Sequence, residues 1–333
     1  MNTNFISSDH SEHRHFGFLL MQNFSLIAYA SAIETLRLAN HIKGEDIYTW
    51  DTITPNDNVV QASNGLEFKN YTNLKEVEVY ETLFVCGGNN IRHYWTNAIG
   101  EWLHQQRKKG TALGSLCTGA YILGRAGLLD GYRCTMHWDH IAATREEFPH
   151  LKLSNDIYEL DRDRYTCAGG TACIDMMHHL LTQHHGRQLA SAVSEKLMVD
   201  HIRGIGDPQR IPLRLQIGTG QPKLIEAVRL MEANLEECLS SNELAHYIGL
   251  SKRQLERLFR VNLESTPMQY YLRLRLSNAR RLLIQSELSI YDVSISCGFK
   301  TAAHFSKSYK DRFDISPSDE RKKFYSNASN LKP

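Results

Sequence analysis

The last third of the chain carries one helical pattern twice, about fifty residues apart, and this repeat restricts the fold more than any other feature. In SSNELAHYIGLSKRQLERLFRVNL, Ser240 or Ser241 is placed to cap a short helix, with Glu243 in its first turn. Leu244, Ala245 and Ile248 share a face, Gly249 permits a tight turn, and Ser251 caps the next helix. There Leu255, Leu258 and Phe259 point inward, which leaves Lys252, Arg253, Gln254 and Arg257 outward near the helix start. The second copy, SIYDVSISCGFKTAAHFSKSYKDRF, sets Ile290, Val293 and Ile295 inward and turns at Cys297-Gly298-Phe299. Thr301 opens its second helix, with Phe305 and Tyr309 inward and Lys300, Thr301, His304 and Lys307 outward. Between the copies Pro267 starts a long basic helix with Arg273, Arg275, Arg280 and Arg281. A recognition helix offers polar side chains to base edges from such positions, Arg suiting guanine and Gln adenine. One unit would suit an ordinary bundle with a solvated basic face; two, joined by a rigid helix, point to double-stranded DNA.

Charge follows the same division. Residues 221–333 carry 18 Lys/Arg against 13 Asp/Glu, whereas 1–220 carry 20 against 24, although the whole chain is only +1. The seven cysteines (86, 117, 134, 167, 173, 238 and 297) lack CxxC spacing, which argues against a disulfide framework and a zinc site and fits a reducing compartment. The polar start MNTNFISSDHSEHRH has no apolar signal region, and no apolar run approaches ~18 residues, so neither secretion nor a membrane partner is expected.

Before the repeat the pattern alternates between strand and helix. HFGFLLM, YTWDTIT, ETLFVCGG, TALGSLC and YRCTMHW read as strands. SLIAYASAIETLRLAN, NAIGEWLHQQRKKG, TGAYILGRAG and DHIAATREEF read as the helices between them, with a polar loop after the second strand. NDIYELDRDRYTCAGG reads as a hairpin, and TACIDMMHHLLTQHH and QLASAVSEKLMVDHI as helices, the first carrying His178, His179, His184 and His185 as a cationic C-terminus. This alternation predicts a largely parallel sheet covered on both faces. Residues 203–222 hold four glycines and three prolines and read as a linker, with Ile211, Leu213, Leu215 and Ile217 spaced to dock on a surface. The expected division is a disordered lead at 1–14, a sheet domain at 15–202, the linker at 203–222, a helical domain at 223–325 and a polar tail at 326–333.

The most chemical-looking stretch of the sheet domain runs from Leu113 to Ala120. Cys117 stands where a strand ends and a helix begins, a place where backbone N–H groups and the helix dipole favour a thiolate. His137, twenty residues on, ends a strand that can approach it, and Gly87-Gly88 offers backbone donors at another strand end. Aromatic groups nearby (Tyr94, Trp95, Tyr132 and Trp138) suit a quaternary ammonium, and Asp139 or Glu34 a guanidinium. The candidate effector contacts are therefore Gly88, Asn89, Trp95, Cys117, Thr118, His137 and Trp138.

Two resemblances follow from these residues. DVSISCGFKTAAHFSKSYKDRFDISPSDERK and SSNELAHYIGLSKRQLERLFR resemble the AraC/XylS regulators, over residues 222–325. That likeness implies two recognition helices in successive major grooves and contacts with RNA polymerase. Residues 15–190 resemble the PfpI/ThiJ-like branch of the glutamine amidotransferase-like superfamily, most specifically in GSLCTGAYILGRAGLLDG followed by TMHW. The fusion is the layout of the GlxA-like regulators, and DRDRYTCAGGTACIDM and SEKLMVDHIR also look like theirs. Members resembling this chain control the catabolism of arginine, glycine betaine or carnitine.

The resemblance implies an α/β fold class: a doubly wound, flavodoxin-like, amidotransferase-like sheet domain, then an all-α domain with two helix-turn-helix motifs. Hydrolytic members often place His directly after the Cys, where this chain has Thr118, and supply a carboxylate near the position of Ala28, with Glu34 two turns away. A ligand pocket is therefore expected rather than an enzyme, with no catalytic residues, cofactor or metal. The reading is a cytoplasmic, homodimeric regulator, an activator in kind with its family, under a small amino-acid-like or quaternary-amine effector. The alternatives are residual Cys-dependent amidohydrolase-like activity and a Cys117 redox sensor.

Overall fold

The computed structural model describes residues 13–55, 59–69, 72–73, 79–209 and 220–329. The docking expected of Ile211, Leu213, Leu215 and Ile217 lies outside the described residues, as does most of the expected lead. The strands are β1 (Arg14–Leu20), β2 (Tyr48–Thr54), β3 (Val60–Gln61), β4 (Glu67–Phe68), β5 (Thr72–Asn73), β6 (Thr82–Cys86), β7 (Ala112–Leu116), β8 (Arg133–Cys134), β9 (Lys152–Leu153), β10 (Tyr158–Asp161) and β11 (Arg164–Cys167). Among them run the helices α1 (Leu26–Lys43), α2 (Asn97–Lys108), α3 (Ala120–Arg125), α4 (Trp138–Glu147), α5 (Ala172–His185) and α6 (Arg187–Lys196).

Seven strands form one sheet in the order β10-β11-β7-β6-β1-β2-β5. Every pairing is parallel except β10 with β11, the expected hairpin. From β1 the chain builds outward to β2 and then returns to the other side of β1 at β6. This order is doubly wound, with its topological switch point between β1 and β6. Phe16, Phe18 and Leu20 of β1 face a core shared with α1 and α5, while Leu19 joins Leu83, Val85 and Leu113 in a core with α2 and α3. The strands are apolar on both faces because both are covered.

Several local expectations need correction. The loop after β2 holds the short strands β3 to β5. YRCTMHW is strand only at Arg133–Cys134, because its neighbour β9 offers just two residues to pair with. Thr135 to His137 is instead fixed from outside the ladder, the Thr135 N–H donating to Thr166 Oγ1 at 2.8 Å. The histidines at the end of α5 are not a cationic terminus. Burial pushes His184 down to about 4, with Arg14 and His185 adding to the effect. Glu81 lies 3.8 Å from His184 Nε2 but is already neutralised by Arg14 at 2.6 Å. Burial likewise lowers His178, His179 and His185.

The second unit is helical: α7 (Pro222–Ala233), α8 (Ser241–Tyr247), α9 (Lys252–Leu263), α10 (Pro267–Gln285), α11 (Ile290–Ser296), α12 (Ala302–Phe313) and α13 (Pro317–Ser329). It has two cores. Leu224, Val228, Met231, Leu244, Ile248, Leu255 and Phe259 form one; Val293, Cys297, Phe299, Phe305 and Tyr309 form the other. The long helix α10 serves both, giving Tyr271 to the first and Leu276, Ala279 and Leu283 to the second. Ile295 is not inward: it is 36% exposed, and Ser294 takes the buried place. Helical spacing explains this, since Ile290, Val293, Ser294 and Cys297 fall at i, i+3, i+4 and i+7. The expected boundary at 325 falls inside α13, which the sequence reading did not separate.

Candidate functional site

Each helix-turn-helix begins with reciprocal capping. Ser240 Oγ accepts from the Glu243 N–H while Glu243 accepts from the Ser240 N–H, and Ser251 and Gln254 repeat the arrangement one helix later. In the second copy Ser289 and Asp292 form the capping box of α11, and Thr301 caps α12 by accepting from the His304 N–H at 3.2 Å. Both recognition helices, α9 and α12, end on a left-handed residue, Glu264 at φ 48° and Asp314 at φ 58°. Each is followed by a capped helix opening with Pro267 or Pro317. The repeat therefore extends to the cap chemistry.

Lys252, Arg253, Gln254 and Arg257 are all exposed on α9, as are Lys300, Thr301, His304 and Lys307 on and beside α12. Three of the eight have prior engagements. The Gln254 amide oxygen accepts from the Ser251 N–H at 2.8 Å, so a bidentate contact to adenine requires the cap to open. The Thr301 hydroxyl is occupied as a cap, and the His304 ring lies edge-on to Phe299, with centroids 5.6 Å apart.

The basic residues of α10 divide differently from the sequence expectation. Arg275 donates to the Cys297 and Gly298 carbonyls at 2.7 and 2.6 Å and covers the Phe299 ring at 4.1 Å. Arg280 pairs with the buried Glu320 at 2.6 Å, and Glu320 also accepts from Tyr309. Both arginines hold the second helix-turn-helix against α10. Gly298, at φ 71°, has no room for a Cβ, which would meet Cys238 Sγ at 2.5 Å and the Leu235 carbonyl at 2.6 Å. Tyr271 donates to the Asn234 carbonyl. Shared helix, turn contact and hydrogen bond together fix the two recognition helices relative to each other.

In the sheet domain the loops after β1, β6 and β7 converge at the switch point. Cys117 adopts φ 60°, a left-handed conformation that costs a non-glycine residue on the order of 1 kcal/mol. Gly119 lets the elbow close: a Cβ there would lie 1.9 Å from the Val85 carbonyl oxygen. The Thr118 hydroxyl donates to the Gly88 carbonyl at 2.7 Å, and the His137 N–H to the Cys117 carbonyl at 3.2 Å. The structure thus brings Gly88, Cys117, Thr118 and His137 together, with Trp138 beside His137 at 5.6 Å between ring centroids. Asn89 is exposed, its N–H donating to the Asn23 carbonyl at 3.0 Å. Trp95 turns elsewhere and packs on Gly100 of α2.

The surroundings of Cys117 disfavour the expected thiolate. Burial pushes the Cys117 thiol up to about 12; the Thr118 N–H opposes this, and Cys167 adds to it. Helix α3 has only six residues, too short to offer a substantial dipole. Among the described residues no hydrogen bond joins Cys117 Sγ to His137, whose Nδ1 accepts from the Asp139 N–H at 3.3 Å. Burial also lowers His137, which keeps the imidazole neutral. Of the donors expected of Gly87-Gly88, the Gly87 N–H is already bonded to the Leu116 carbonyl, and the next N–H along, that of Asn89, to the Asn23 carbonyl. Glu34 is half-buried and tied to Arg37, and Tyr132 stacks with Arg162 and Arg164.

The chain leaving this domain is anchored, which sequence reasoning missed. Arg203 makes a two-point contact with the buried Asp175 at 3.0 and 2.6 Å, and its N–H donates to the same carboxylate. The Ile157 N–H donates to the Asp207 carbonyl, and the Gln209 N–H to that of Asn155. Gln209 Nε2 lies 2.9 Å from each of Thr135 Oγ1 and the carbonyls of Met136 and Asp156. The first seven residues of the expected linker are therefore part of the α/β unit, which ends at Gln209.

A DJ-1/PfpI-like α/β domain followed by paired, rigidly related helix-turn-helix motifs defines a class: a DNA-binding transcriptional regulator. Residues 22–183 match the DJ-1/PfpI family and residues 244–323 the helix-turn-helix domain. The chain belongs to the AraC-type transcriptional regulators of the GlxA-like kind. It is 47% identical over 305 residues to the HTH-type transcriptional regulator GbdR of Pseudomonas aeruginosa, covering 92% of this chain and 83% of that one. With the HTH-type transcriptional regulator CdhR of the same organism it shares 42% identity over 306 residues, 92% and 91% of the two chains. Among solved structures, an AraC family transcriptional regulator from Pseudomonas putida matches at 29% identity and a TM-score of 0.52, over 55% of this chain and 99% of that one.

Proposed function

We propose that the chain is a cytoplasmic activator of a catabolic operon, binding DNA as a homodimer and responding to a small amino-acid-like or quaternary-amine effector held by its α/β domain. RNA polymerase is the partner of the activated complex. The carrying observation is the pair of recognition helices, with exposed Arg253 and His304 near their starts and a shared helix α10 between them. Among the described residues no helix is long and apolar enough to cross a membrane. In this reading the sensor runs to Gln209 and the DNA-binding domain from about residue 220 to 329.

The α/β domain acts by binding rather than by hydrolysis. Nucleophilic catalysis needs a thiolate and a base within hydrogen-bond reach, and here a protonated, buried thiol stands unbonded to a neutral imidazole. Of the expected effector contacts, Gly88, Cys117 and Thr118 are buried, whereas Asn89, Trp95, His137 and Trp138 keep some exposure.

Footprinting with base-substituted operators tests the reading. Arg253→Ala and His304→Ala should each relax base preference, by about 1–3 kcal/mol, in different half-sites about one helical turn (~10 bp) apart. Both substitutions acting on the same base pairs would contradict the arrangement. Light scattering at tens of micromolar should report a dimer through the α/β domain, and a transcription assay should respond to effector.

A further inference from the structure

Away from the elbow, two adjoining cavities open where α5, α6 and the chain leaving α6 meet. One has a volume of about 370 Å³ and reaches Arg187 and Arg203; the other, about 650 Å³, reaches Glu195 and Asp200. They share His178, Ser191 and Ile202. The charges are segregated. In the first cavity the single carboxylate, Asp175, is neutralised by Arg203 at 2.6 Å, which leaves the guanidinium of Arg187 as the uncompensated charge. The second ends on two carboxylates. Among the described residues Arg187, Glu195 and Asp200 make no ion pair. The His178 imidazole, at the junction, is half-buried and makes no hydrogen bond among the described residues, although the His178 carbonyl accepts from the Thr182 hydroxyl at 2.8 Å. Met198 and Val199 add apolar surface beside the acidic end.

A cationic end, an uncharged middle with a donor-acceptor imidazole and a hydroxyl, and an acidic end with apolar neighbours suit a ligand of opposite polarity. We propose that the double cavity binds a small zwitterion, an amino acid or a betaine, with its carboxylate at Arg187 and its cationic group at Glu195 and Asp200. The proposal rests on the sensor reading and relocates the effector from the elbow. It also supplies a route outward, because Ile202, Arg203 and Gly204 line the first cavity and lead directly into the anchored segment ending at Gln209. A ligand there braces the chain on its way to the DNA-binding domain.

Titration calorimetry on the full chain, with glycine betaine, L-arginine and L-carnitine as probes, tests this. Choline and acetate at matched ionic strength supply the single-charge controls. At least one zwitterion should bind, with choline and acetate at least tenfold weaker. Arg187→Gln and the double variant Glu195→Gln/Asp200→Asn should each weaken that binding tenfold or more. Trp138→Ala, at the elbow, should leave it unchanged. These side chains are exposed, and melting curves identify any variant that fails to fold. The proposal is overturned if no zwitterion binds, if a single charge suffices, or if the elbow variant loses binding while the cavity variants keep it. Should a zwitterion bind through the cavity without altering DNA affinity, the site stands and the sensor reading fails.

Discussion

Gln209 is where the described chain leaves the α/β domain, and its side chain ties that exit to the strand ends near the elbow. The amide has two N–H donors facing three acceptors at 2.9 Å: Thr135 Oγ1 and the Met136 and Asp156 carbonyls. Thr135 Oγ1 in turn lies 2.8 Å from the Asp156 carbonyl and can donate there, so one amide organises both loops. Met136 is bonded through the next residue to Cys117, since the His137 N–H donates to the Cys117 carbonyl. Truncation in Gln209→Ala removes two donors and leaves part-buried carbonyls to water or to nothing. At about 1 kcal/mol per hydrogen bond, the local cost is about 2 kcal/mol. That cost falls on the exit segment rather than the sheet, so global stability should change little while local opening rises about thirtyfold. Hydrogen exchange reads this directly: the Ile157 amide, bonded to the Asp207 carbonyl at 3.1 Å, should lose protection by that factor, as should the Gln209 amide. If the exit segment transmits the effector signal, a reporter should also show effector-independent output. Unchanged protection at Ile157 would refute the anchoring argument, and normal effector dependence despite lost protection would refute the coupling.

Other expectations follow from particular contacts. Gly298→Ala forces a Cβ against Cys238 and the Leu235 carbonyl, whereas a Cβ at Gly249 meets nothing within 4 Å. Both sites have positive φ, so Gly249→Ala should cost about 1 kcal/mol and Gly298→Ala several, as denaturant midpoints of the full chain will show. Because His184 is held near 4, the unfolded chain binds a proton that the folded chain does not between pH 6.5 and about 4. Its contribution is therefore present above pH 6.5 and is lost as pH falls through that window, by on the order of 2–3 kcal/mol; His184→Gln should flatten this part of the stability profile. Cys117, with its thiol pushed up to about 12, should alkylate with iodoacetamide far more slowly at pH 7.5 than a free thiol, and rapid modification in the native state would refute the packed elbow.

Much of the architecture depends on local chemistry, and so could be read along the chain. Ser251 with Gln254, the turn at Gly249 and the period of Leu255 and Phe259 lie within a dozen residues and specify a helix-turn-helix wherever they occur. Strand and helix periods likewise announced a covered parallel sheet, and a cysteine between strand and helix announced an elbow. What a side chain does with its charge was not legible, because its partner is far away in sequence. Arg275 reads as one more basic residue until Gly298, 23 positions on, arrives beneath it, and Arg280 until Glu320 does, 40 positions on. Cys117 has the local setting of a reactive thiol, but Gly169 and Cys167 from a distant hairpin wall it off from water and reverse the expectation. The glycines and prolines of 203–222 mark a linker, yet a buried carboxylate on α5 and three acceptors around Thr135 bind its first residues into the α/β unit. Propensity and period act between near neighbours along the chain, whereas burial and ion pairing act between neighbours in space, which only the folded chain supplies.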